Sequence, residues 1–219
     1  MILLQVVNDA ESLSDSVVSV GLSVTGILVM IPIGILLILV IYLVVDRLQV
    51  ISKANQNPDQ FMLKVKALVL KGDITSARTL CAQQDTPVAR MIEKGLSRIG
   101  SPLRNIEAAI ENTGRLQLFK LEKNISVLST VAGAAPLLGF LGTTFGVIEV
   151  FTISKESGAL LPDLLSSGMY NAMITTVAGL IVGLISYLAY NYLVAQVRSV
   201  VHKMEYTSID FIDMLQEPR

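Results

Sequence analysis

Apolar and polar positions along this chain are sorted into long blocks. Residues 16–45, 124–148 and 164–197 contain no Asp, Glu, Lys or Arg, giving runs of 30, 25 and 34 residues. About 20 apolar helical residues cross a hydrocarbon core of about 30 Å, so each run is long enough for one span. A β-barrel would need strands of about ten residues with alternating polarity, and that alternation is missing. Outside the runs, apolar positions recur at three- and four-residue spacing, the period of amphipathic helices. Ile74, Ala77, Leu80 and Cys81 make one stripe, and Val88, Met91, Ile92 and Leu96 a second. Leu103, Ile106, Ile110 and Thr113 make a third. Val197, Val200, Val201, Met204, Ser208, Phe211, Ile212 and Leu215 continue the same spacing beyond the last run. The pattern predicts an all-α membrane protein with three transmembrane helices, the second and third extended into a helical cytoplasmic domain.

Helix starts are legible between the first two runs. Asn57-Pro58, Thr86-Pro87 and Ser101-Pro102 each pair an N-cap residue with proline at the first helical position. Gly72-Asp73 and Gly100 mark breaks. From Ser101 onward Gly114 is the only weak point, and Glu111 and Arg115 form a favourable i,i+4 pair. One helix of more than fifty residues is therefore expected to reach about Ile153, kinked at Pro136. Ile2–Ser16 reads either as an interfacial amphipathic helix or as a frayed terminus. Pro32 and Gly34 in the first run are tolerated in membrane helices when neighbours satisfy the backbone.

Composition sharpens this division. The 219 residues are 52% hydrophobic and 16% charged, with a mean hydropathy of +0.62. All 35 charged residues fall in the 130 outside the three runs. Their density there is about 27%, ordinary for soluble protein. Net charge is −1 and Trp is absent, so neither a basic field nor basic-aromatic interleaving points to nucleic acid. Cys81 and His202 are the only residues of their types. That disfavours a His/Cys metal site or a Ser-His-Asp triad, and no cofactor or enzymatic activity is expected. Cys81 itself reads as a buried small apolar residue.

Lys and Arg set the expected orientation. Residues 46–123 hold 13 of the 17, 149–163 only Lys155, the tail three and the N-terminal segment none. The positive-inside rule puts 46–123 and the tail in the cytoplasm. The expected layout is an external segment 1–15, spans at 16–45, 124–148 and 164–197, a cytoplasmic helical domain 46–123, an external loop 149–163 and a cytoplasmic helical tail 198–219. Asp9, Glu11 and Asp15, with no Lys or Arg before them, are the reverse of a cleavable signal's positive start.

Small and hydroxyl residues gather in the second and third runs. Ala135, Gly139 and Thr143 fall at i, i+4 and i+8, with Ala132 and Gly146 on the same face. Asn171, Thr175, Gly179 and Gly183 repeat every four residues, with Thr176 adjacent. Gly142 with Gly146, and Gly179 with Gly183, are GxxxG pairs that let helix backbones approach closely in lipid. Thr143, Thr144, Thr175, Thr176 and Asn171 add polar groups at membrane depth. Each threonine alone can satisfy itself on its own helix. Together they point to a polar-lined interior, either a pore wall or a socket for another subunit's polar side chain. No ionisable residue sits centrally in any run. Glu149 stands at the outer end of the second, a candidate outer mouth or a solvated carboxylate. If protons cross, the titrating group comes from a partner.

The run Ala134-Ala135-Pro136-Leu137-Leu138-Gly139-Phe140-Leu141-Gly142-Thr143-Thr144-Phe145-Gly146 resembles the APLLGLLGTVxG signature of the ExbB/TolQ/MotA proton-channel family. Asn171 to Leu180, continuing to Tyr190-Asn191-Tyr192, is similar to that family's third-span segment. Gly72-Asp73 followed by Ala77, Leu80 and Cys81 also looks like its cytoplasmic region. Three spans rather than four bring the chain nearer to ExbB or TolQ than to flagellar MotA. The resemblance implies a multi-pass protein of the bacterial inner membrane, with its N-terminus periplasmic and its C-terminus cytoplasmic. It implies a homo-oligomer, usually a pentamer, whose second and third spans line a pore. Inside sit single-span ExbD-type partners, each with an essential membrane Asp, and a TonB-like protein receives the motion that energises outer-membrane transport. A TolQ-like or other envelope motor stator, and a non-conducting membrane scaffold, are the alternatives. The family's pore threonines correspond to Thr143 and Thr176. Asn171 departs from the usual Glu; it hydrogen-bonds but does not titrate. Gly183-Leu184-Ile185 stands where the family has a proline, which implies a straighter third helix.

Overall fold

The computed structural model describes residues 24–55, 58–157 and 162–216. Segment 1–15, the first residues of the expected first span and Asn57 lie outside the described residues. The described residues form helices with no strand. In chain order they are α1 (Val24–Ala54), α2 (Pro58–Leu70), α3 (Ile74–Gln83), α4 (Pro87–Leu96), α5 (Leu103–Glu122), α6 (Ile125–Ser157) and α7 (Pro162–Gln216). Three helical stretches, in α1, in α5–α6 and in α7, are long and apolar enough to cross a membrane. The chain divides into two compact units. One takes the described residues up to Leu43 with Ser126–Tyr190, and the other takes Val44–Ile125 with Asn191 onward.

In the first unit, α1 buries Val29, Ile33, Val40 and Leu43 while Leu28, Ile31, Ile35, Ile38 and Tyr42 stay exposed. A helix apolar on its outer face is what a lipid solvent requires. α6 runs through Pro136 and continues past Glu149 to Ser157, and α7 resumes helix at Pro162. Much of the stretch expected as an external loop is therefore helical.

The second unit is built around α4, which packs on both α3 and α5. Thr86 caps α4, its hydroxyl accepting from Ala89 N at 3.2 Å, and Pro87 occupies the first helical position. Thr86→Ala is expected to cost about 1 kcal/mol, read as a lower denaturation midpoint with unchanged helical content. Asp73 caps α3, its carboxylate accepting from Ser76 N at 3.0 Å. Hydrogen bonds from the Ser76 side chain and backbone hold that carboxyl below its ordinary value. Its support of α3 is therefore present above the unfolded carboxylate range and is lost as pH falls through the lowered value. Gly72 and Gly100 adopt φ of +81° and +95°, conformations that glycine takes without a Cβ penalty. α5 starts one residue later than Ser101-Pro102 predicts; Pro102 is the N-cap and no side chain caps it.

The expected single helix from Ser101 to Ile153 is instead two. Lys123 is extended at φ −50°, ψ 132°, and Asn124 takes φ 64°. Asparagine holds the left-handed conformation at little cost, so it breaks the helix with neither Gly nor Pro present. Arg47, nearly buried, meets the end of α5: Nη1 donates to the Lys120 carbonyl at 3.4 Å and Nε to Asp46 at 2.9 Å. Last-turn carbonyls lack intrahelical donors, and a guanidinium supplies one. Lys203 does the same after α1, its Nζ donating to Asn55 O at 3.2 Å and to Asn55 Oδ1 at 2.7 Å.

Beyond residue 191, α7 buries Leu193, Val197, Val200, Met204, Thr207, Phe211 and Met214. The spacing alternates four and three, the seam of a coiled-coil-like packing. Thr207 and Met214 occupy the seam where Ser208 and Leu215 were expected. The Phe211 ring fills a notch at Gly95: a Cβ built there would lie 2.9 Å from Phe211 Cε1 and 2.8 Å from Ile110 Cδ1. Cys81 is buried and free, and burial foremost, with Glu93 nearby, pushes its thiol up to about 12.

Candidate functional site

The small-residue faces of α6 and α7 meet along one seam. A Cβ built on Gly139 would lie 2.8 Å from Thr175 O and 2.9 Å from Thr176 Cα. One built on Gly179 would lie 2.5 Å from Ala135 O and 2.9 Å from Gly139 Cα. These obstacles are backbone, so no side chain can move aside. Gly142 receives the Thr175 side chain, with Val29 of α1 also close by, and Gly146 receives Ala172. Gly183 faces the Pro136 ring and the Ala132 carbonyl. That carbonyl is the one Pro136, lacking N–H, leaves without its helical donor. Ala135 is fully buried at the seam. Ala132, Ala135, Gly139, Gly142, Gly146, Gly179 and Gly183 therefore all lie where the two helices touch.

The hydroxyls divide into two sets. Thr175 is buried, and its Oγ1 lies 2.7 Å from Ala172 O and 3.2 Å from Gly139 O, both of which can accept its proton. Thr176 is half-buried, and its Oγ1 donates to Gly139 O at 3.0 Å. The Gly139 carbonyl thus faces hydroxyls from two consecutive residues of the opposing helix. Thr176 Oγ1 also stands 3.5 Å from Thr143 Oγ1, which donates to Phe140 O at 2.7 Å. Thr144 is exposed and donates to the same carbonyl at 3.1 Å. Thr143 and Thr176 therefore bring two hydroxyls together at the partly open edge of the seam, whereas Thr175 clasps its interior. Glu149 is half-buried on α6. Asn171 lies on α7, but its side chain is outside the described residues.

Ser186 was not singled out by sequence reasoning. It is fully buried and donates to Leu128 O at 2.7 Å, a further bond between the two helices. Its signal was present: Ala172, Thr175, Gly179, Val182 and Ser186 follow three- and four-residue spacing, and the small-residue face extends one turn past Gly183. Among the described residues no cluster of His, Cys, Asp or Glu could hold a metal ion.

Residues 83–206, more than half of the chain, match the family described as MotA/TolQ/ExbB proton channel. The chain belongs to that family. The matched stretch of this MotA/TolQ/ExbB protein contains both threonines of the open pair and every glycine of the seam. It is 33% identical over 138 residues to the biopolymer transport protein ExbB of Aquifex aeolicus, covering 63% of this chain and 87% of that one. It is 29% identical over 136 residues to an ExbB homolog of Methanothermobacter thermautotrophicus, covering 62% of this chain and 48% of that one. It therefore spans about half of the latter's length. The Tol-Pal system protein TolQ of Haemophilus influenzae is 28% identical over 101 residues, 43% of this chain and 44% of that one. Family membership and three apolar helices make this an inner-membrane protein of a channel and transport-energising family, not of an enzyme family.

Proposed function

We propose that the protein is the channel subunit of an ExbB-like, proton-motive-force-driven motor of the inner membrane. In this reading copies of the chain surround single-span ExbD-type helices, with α6 and α7 forming the pore wall. The motion of the assembly is passed to a TonB-like protein. The N-terminus lies in the periplasm, and residues 46–123 and the tail lie in the cytoplasm.

The observation that carries this reading is the Thr143–Thr176 pair, two hydroxyls 3.5 Å apart at the open edge of a wall without ionisable groups. Each donates its proton to a carbonyl of α6, which leaves the oxygen lone pairs free to accept. A hydroxyl can therefore accept from a protonated carboxylic acid, and by rotation donate to an ionised carboxylate. A partner's membrane Asp would find a hydrogen-bonding surface in both protonation states, with no competing charge on the wall. Burying an unpaired carboxylate in so apolar a setting would otherwise be costly. Thr144 extends the polar surface, Thr175 holds the wall together behind it, and Asn171 is assigned the role of a hydrogen-bonding, non-titrating partner for that Asp.

The test is proton flux into liposomes containing this protein and its single-span partner. Thr143→Val with Thr176→Val is expected to reduce partner-dependent flux by at least about tenfold, the equivalent of about 1.4 kcal/mol in a barrier. The matching Ser variants keep the hydroxyls and should retain most of the flux. Undiminished flux in the double valine variant would remove these residues from the pathway and favour the scaffold reading.

A further inference from the structure

The second unit leaves two apolar surfaces uncovered, and they match in length and charge. The first is convex. α2 buries Phe61, Met62, Val65 and Val69 within its own unit, yet Leu63 is 69% exposed and Leu70 58% exposed, with exposed Ala67 between them. Positions i, i+4 and i+7 put these three on one helix face, the spacing by which an amphipathic helix is anchored in a groove. Lys64 and Lys66 flank that face.

The second surface is a groove of about 470 Å³ between α5 and the inner half of α7. Leu118, Met204 and Ile209 make its apolar walls, and Glu111, Arg115 and Glu205 its rim. Glu111 is paired with Arg115 at 2.6 Å, so the rim is net negative through Glu205. The lining runs from Glu111 to Leu118 on α5 and from Val201 to Ile209 on α7. At 1.5 Å per residue those stretches are about 10 and 12 Å long, and Leu63 to Leu70 is about 10 Å.

We propose that the α5–α7 groove receives α2 of a second copy of this chain, Leu63 and Leu70 seated against Leu118 and Ile209 and Lys66 facing Glu205. The two surfaces differ, so the contact is head-to-tail, the kind that forms a ring where the rotation between copies closes. The proposal rests on the homo-oligomeric reading above and names the surface that joins its subunits outside the apolar spans.

The test is disulfide cross-linking of the full-length protein in native membranes, co-expressed with its single-span partner. Cys81 is buried with its thiol raised, so the unsubstituted protein gives the background. Leu70→Cys together with Ile209→Cys should give a ladder of linked multimers on mild oxidation. Either variant alone should give none, and co-expressed single variants should stop at the dimer. Lys66→Glu should lower the linked fraction about threefold, the size of an exposed ion pair, and Glu205→Lys should restore it. A self-linking single variant, or Ile209→Cys linking to the single-span partner, would overturn the proposal. So would an absent ladder where an amine-reactive cross-linker still captures multimers. Absence of multimers with both reagents would instead overturn the homo-oligomer itself.

Discussion

Gly179→Val is expected to cost about 3 kcal/mol or more, and Gly179→Ala about 1–3 kcal/mol, the range for overfilling a close-packed contact. The reason is the identity of the obstacles: an added Cβ would meet Ala135 O at 2.5 Å and Gly139 Cα at 2.9 Å. Both are backbone, so relief requires the two helices to separate, and separation breaks the Thr175 and Thr176 bonds to Gly139 O. The measurement is the thermal midpoint of the detergent-solubilised protein, where 1 kcal/mol corresponds to about 2–4 °C for a chain of this size. Gly34→Ala is the control. Nothing lies within 4 Å of its added Cβ, and alanine is the better helix former by about 1 kcal/mol. Equal midpoints for Gly34→Ala and Gly179→Ala would show that the seam is not packed as described.

Phe211→Ala is expected to destabilise the second unit by about 3–5 kcal/mol, the range for deleting a buried aromatic ring. Phe211 is fully buried, and its ring lies in the notch left by Gly95 beside Ile110. Gly95→Leu attacks the same contact from the other side by filling the notch. Both variants should release the end of α7, making bonds near Arg198 and Lys203 sensitive to trypsin. Phe211→Leu keeps most of the volume and should be the mildest of the three. An unchanged cleavage pattern in Phe211→Ala would mean that the tail is held by other contacts.

The parts of this structure readable from sequence are those governed by short-range periodicity. Charge-free runs mark the apolar helices because lipid excludes ionisable groups, and Thr86-Pro87 marks the start of α4 because a cap is a local device. The seam was also legible, since Gly139, Gly142, Gly179 and Gly183 have few reasons to recur at helical spacing other than close approach. Asn124 was not legible. Its left-handed φ depends on the flanking helices, and a single asparagine carries no fixed instruction to break one. Nor was the division of labour among the threonines. Thr175 and Thr176 are neighbours in sequence, and only the position of α6 decides which is buried and which reaches the open edge. Ser186 stands on the spacing of that same small-residue face, but its partner, the Leu128 carbonyl, is not visible in one dimension.

The double engagement of the Gly139 carbonyl has a mechanical consequence. Sliding α7 along α6 by one turn would carry both hydroxyls away from that carbonyl and drive the Pro136 ring out of the notch at Gly183. A bound pair of this kind has one register, so α6 and α7 move as a single stave. In the proposed assembly, any widening or narrowing of the passage would then take place at the joints between staves, with the Thr143–Thr176 spacing carried unchanged.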